Sequence, residues 1–100
     1  MDRTRIREAL AQVDAAGAAV TDTLNDQEVQ ALLERGARDE ALALIAERYP
    51  LNDRDKRHAA QVELVRAMTD GLPEWRDVNP DKVVGSAVHF MRLLALARRV

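Results

Sequence analysis

The chain has 100 residues, 47% of them apolar and only 3% aromatic, with a formal charge of −2. That apolar content suits one folded domain and excludes intrinsic disorder by composition, while the slightly acidic balance argues against nucleic acid or an anionic membrane as the main partner. The absence of cysteine excludes disulfides, thiol catalysis and cysteine-based metal centres.

The first helix is expected over about Thr4 to about Thr21. Its larger apolar residues and its glycine, Ile6, Leu10, Val13, Gly17, Val20 and Leu24, recur at alternating spacings of four and three. This is the seam spacing of a coiled coil. Gly17 and the alanines around it would let a partner helix approach closely, so these six residues are candidates for an interface. Residues 1–24 therefore read as a pairing helix and residues 25–100 as a helical core, within a single domain over residues 1–100. The charged N-terminus lacks the apolar run of a secretory signal, which makes a cytoplasmic location the expectation. Arginine far outnumbers lysine and alanine is abundant, a composition typical of bacterial proteins from GC-rich genomes.

Asn25 followed by Glu28 reads as a capping box for a second helix over about Asp26 to Arg35, with Leu24 and Val29 as its hydrophobic staple. Gly36 is the expected terminator. A third helix follows from about Arg38 to Tyr49 and stops at Pro50. The run Leu32-Leu33-Glu34-Arg35-Gly36 with Glu40-Ala41-Leu42 resembles the helix–glycine–helix patterns of tetratricopeptide repeats and of the C-terminal domain of ribosomal stalk proteins. The resemblance implies a helical hairpin.

Asn52 is the expected cap of the next helix, which runs to about Thr69 and stops at Asp70-Gly71. Its first two turns, Asp53 to His58, are all charged and should be solvated, so the core is reached only in its second half. Leu72 to Val78 is a connection that carries the only tryptophan, Trp75. An aromatic there either plugs the core or anchors an interface.

The last stretch, Asn79 to Val100, is expected as one mostly apolar helix. Asn79 caps it, Pro80 opens it, and Arg98 and Arg99 close it. Lys82, Gly85, His89, Arg92, Leu96 and Arg99 would share one narrow face. A helix this apolar is normally buried, yet the alanine-rich helices around it offer little to cover it. Trp75, His89, Phe90, Arg92, Leu93 and Leu94 are therefore the remaining interface candidates. Asn25, Asn52 and Asn79 stand 27 residues apart, as one start signal used three times would place them.

No residue set for catalysis is evident. The glycines are isolated, His89 has no carboxylate or nucleophile beside it in sequence, and Asp53, Asp55 and His58 do not share a helix face for a metal. No cofactor is implied. The fold expected is all-α, a compact bundle of about five short helices around the C-terminal one. The function expected is a non-catalytic accessory or interaction subunit of a larger bacterial cytoplasmic complex, such as the small subunit required by an oligomeric enzyme, pairing with a protein partner or with itself and not with a membrane. The alternative is a small nucleic-acid-binding regulator that uses an arginine patch.

Overall fold

The computed structural model describes residues 2–70 and 72–100. Among them the chain is all-α: α1 (Arg3–Asn25), α2 (Gln27–Glu34), α3 (Arg38–Arg48), α4 (Arg54–Thr69), a 3-10 turn (Pro73–Trp75), α5 (Pro80–Val84) and α6 (Ala87–Ala97), with no strand. None of these helices is long and apolar enough to cross a membrane. The stop signal expected at Gly71 lies outside the described residues, although α4 ends at Thr69. The chain divides into two compact units, one of Met1–Val13 with His58–Val100 and one of Asp14–Arg57.

In the first unit the core joins α1 to the second half of α4. Ile6, Ala9, Leu64, Ala67 and Met68 are buried there together with Ala97 of α6. Leu10, Val13, Phe90, Leu93, Leu94 and Val100 pack on this cluster while remaining partly exposed. Three of the six buried residues are alanines, so the helices approach with little side chain between them. As its charged sequence predicts, the start of α4 stays out of the core: Arg54, Asp55, Lys56 and His58 are exposed. Arg5 braces α1 against α4, its guanidinium donating to Glu63 at 2.8 Å and to Asp70 at 2.7 Å.

The C-terminal stretch is two helices, where the periodicity predicts one. α5 ends at Val84 with Gly85 as its C-cap, and Ser86, with φ −106° and ψ 107°, restarts the chain in extended conformation as the N-cap of α6. Glycine is a weak helix former, and Gly85 closes the last turn of α5, donating its N–H to the Asp81 carbonyl at 2.9 Å, where a Cβ would lie 3.2 Å from the same oxygen. The apolar pattern runs through the break unchanged, which is why it reads as continuous. Lys82 and Gly85 consequently drop out of register with His89, Arg92 and Leu96. Nor is this stretch the axis of the core, because Ala97 is the only residue of α6 that is fully buried.

In the second unit α2 and α3 form the expected hairpin, and Gly36 turns it with φ +77°, a conformation that glycine adopts without strain. The start signals, however, are displaced. Helix α1 continues through Asn25, and the cap of α2 is Asp26, whose carboxylate accepts from the N–H groups of Glu28 and Val29. A carboxylate serves better because it also receives the Tyr49 hydroxyl at 2.6 Å and the Arg48 guanidinium at 3.0 Å. Leu24, the expected staple, is 66% exposed. Likewise Asp53, not Asn52, caps α4, accepting from Lys56 N–H at 3.0 Å. Asn52 is occupied elsewhere: its amide donates to the Thr23 hydroxyl at 2.9 Å and its oxygen accepts from Arg57. Of the three asparagines only Asn79 caps a helix, accepting from Asp81 N–H at 3.0 Å.

Candidate functional site

The α4 helix ends with Met68 and Thr69, and the chain then turns through Pro73–Trp75 before entering α5. Pro73 sets the tight turn, since its fixed φ suits the first position of a short helix. The turn brings Trp75 to one wall of a cavity of about 530 Å³. Met68, Leu72, Val78 and Val83 supply further apolar walls. Helix α6 closes it with His89, Arg92, Leu93 and Leu96, positions spaced to share one helix face. The volume falls in the range of about 300–1,000 Å³ usual for binding pockets.

Among the described lining residues there is no carboxylate. The one hydroxyl, that of Thr69, donates to the Val65 carbonyl at 2.9 Å. The only titratable groups are the bases His89 and Arg92, both exposed and, among the described residues, without an ion pair or hydrogen bond. Such a lining can hold an apolar group and attract a negative charge. It offers no partner for acid–base or nucleophilic chemistry at His89.

Trp75, Leu72, Thr69 and Val78 also line a second, charged hollow of about 640 Å³. Its acids, Glu63 and Asp70, are held by Arg5 and keep that guanidinium more firmly protonated than usual, Glu63 more than Asp70. Arg66 and Arg76 line the same hollow with no ion-pair partner among the described residues.

Beside the cavity, α6 turns apolar residues to solvent. Val88 is 62% exposed, Met91 67%, Leu96 55%, and Trp75 itself 48%. Val88, Arg92 and Leu96 are four residues apart and stack in one row with Met91 next to it. Single exposed apolar residues are ordinary, whereas these adjoin one another around a pocket and form a patch.

Of the residues singled out from sequence, the fold thus brings Trp75, His89, Arg92 and Leu93 into one cavity. Phe90 and Leu94 sit half-buried on the core cluster, as do Leu10 and Val13, and Ile6 is fully buried in it. Gly17 and Leu24 are exposed, and Val20 is half-buried. The face of α1 buried within the chain runs through Ile6, Ala9, Ala16, Ala19 and Thr23, and shares only Ile6 with the seam drawn through the larger side chains. Sequence reasoning also missed Val88 and Met91, because an apolar residue in an apolar helix reads as buried; Leu96 it placed on the narrow face of His89 and Arg92 without making it an interface candidate. A further contact it missed, between residues distant in sequence, is the pair of His58 with Asp81, 2.8 Å apart. No family model matches the chain, and no curated protein or solved structure is detectably similar to it.

Proposed function

We propose that this chain is a non-catalytic helical interaction subunit that docks onto a protein partner through α6 and the cavity at Trp75. One observation carries the reading: the exposed apolar residues Val88, Met91, Leu96 and Trp75 adjoin a pocket whose lining contains no group paired for catalysis. Aromatic and methionine side chains are enriched at such surfaces, and an apolar rim with a pocket is the usual form of a binding anchor. The cysteine-free, arginine-rich composition supports a bacterial cytoplasmic complex as the setting.

The test compares the parent with Met91→Asp, a change at an exposed position that should leave the fold intact. Both are used for affinity capture from lysate, and the captured complex is mapped by hydrogen exchange. The expected result is a stoichiometric partner that protects Ala87–Leu96 in the parent and is lost with Met91→Asp. A complex that the variant retains, with α6 unprotected, would remove this face from the function. A parent that is monomeric by light scattering and captures no stoichiometric partner would remove the subunit reading altogether.

A further inference from the structure

The row on α6 is apolar, cationic, apolar: Val88, Arg92, Leu96. A partner that covers the two ends must cover the middle. Arg92 would then lose water, and a cation removed from water is strongly unfavourable unless an opposite charge meets it. Among the described residues nothing supplies that charge, since Arg92 and His89 have no ion pair or hydrogen bond there. The neighbouring hollow behind Trp75 adds Arg66 and Arg76, while both of its acids are held by Arg5. The cavity lining itself is therefore positive where it is charged, through Arg92, with no carboxylate among its described residues.

This pattern selects among occupants. A second copy docking through the same face about a twofold axis would bring two Arg92-centred rows together, like charge on like. An amphipathic helix carrying acids between its apolar anchors matches the row instead, in the helix-in-groove mode where side chains about one turn apart fill successive sites.

We infer that α6 and the Trp75 cavity receive an acidic amphipathic helix of a partner protein, with an apolar side chain in the cavity and a carboxylate seated against Arg92 and His89. The inference rests on the docking role of this face and adds the chemistry of the partner.

The experiment uses the full chain and two synthetic helical peptides with the same leucines, one with glutamates between them and one with lysines. Binding is read from Trp75 fluorescence and from the amide shifts of α6. The glutamate peptide should bind at least roughly tenfold tighter, as one charge-assisted contact provides, and added salt should narrow the gap. Arg92→Glu, an exposed substitution whose folding is checked by circular dichroism, should reverse the order and gain the lysine peptide. Equal binding of both peptides, with α6 amides shifting in each case, overturns the carboxylate and leaves the docking face standing. If neither peptide shifts α6, both ideas fall. A parent dimer broken by Met91→Asp would overturn the inference in favour of a second copy.

Discussion

Leu64 holds the first unit together, and its truncation gives the sharpest measure of that core. The side chain is fully buried among Ile6, Ala9, Ala67 and Met68. Leu64→Ala removes three carbons, worth about 2.4 kcal/mol at about 0.8 kcal/mol per buried methylene. A cavity contribution adds to this, because the alanine neighbours have no side chain long enough to fill the space. Measured Leu→Ala changes in cores run from about 2.7 to 5.0 kcal/mol, so about 3 kcal/mol is expected here. At about 4–8 °C per kcal/mol for a chain of this size, the melting temperature should fall by about 12–24 °C. The assay is thermal unfolding followed by Trp75 fluorescence, which reports on the same unit, alongside far-ultraviolet circular dichroism. Leu96→Ala is the control. That leucine is more than half exposed, and its loss should change stability by no more than about 0.5 kcal/mol. If the two variants melt together, the core is not where the buried residues place it.

Other substitutions separate the positions that carry structure from those that only look as though they do. Asn52→Ala should lower stability by about 1–2 kcal/mol, because it leaves the buried Thr23 hydroxyl and the Arg57 guanidinium each short of a partner. Asn25→Ala, at an exposed residue that caps nothing, should stay within about 0.5 kcal/mol by the same melt. Gly36→Ala should destabilise by about 1 kcal/mol, since φ is +77° there, whereas Gly17→Ala inside α1 should stabilise by about 0.5–1 kcal/mol; a Cβ at Gly17 meets nothing within 4 Å. Acid titration should expose Asp26, whose carboxyl is held down at about 2 by the Tyr49 hydroxyl first, then by Val29 N–H and Arg48, against an ordinary 3.8. The folded value lies below the unfolded one, so its contribution is complete above pH 3.8 and disappears as pH falls through about 2. Asp26→Asn should flatten that part of the acid limb in circular dichroism, and an unchanged limb would refute the assignment.

Where a signal is local, the sequence announces it. Gly36 turns the hairpin, and Asn79 with Pro80 opens α5, because positive φ and a proline at the first helical turn need nothing from the rest of the fold. Cap choice at α2 is not local. Asn25 and Asp26 are both good caps in isolation, and Tyr49 and Arg48, more than twenty residues away, select the carboxylate. The packing face of α1 was hidden for a different reason. Seams are traced through large residues, but close packing here uses Ala9, Ala16 and Ala19. At the candidate site, Trp75, His89 and Arg92 stand out as chemically unusual in their segments, and they share one cavity with Leu93. The exposure of Val88 and Met91 could not be read, since hydropathy records how apolar a residue is and not which side of the helix the chain has left bare.

The alanines of the core carry one more consequence. Ala9, Ala41, Ala67 and Ala97 are each at most 4% exposed, so helix spacing is set by methyl groups with no slack behind them. Most cores fail by losing volume. These contact lines would fail by gaining it, because a single added branch wedges two backbones apart instead of displacing a flexible side chain. Random variation of this chain should therefore show an inverted tolerance: bulky residues accepted on the outer face of α6, and even valine rejected where the sequence shows only its smallest side chains.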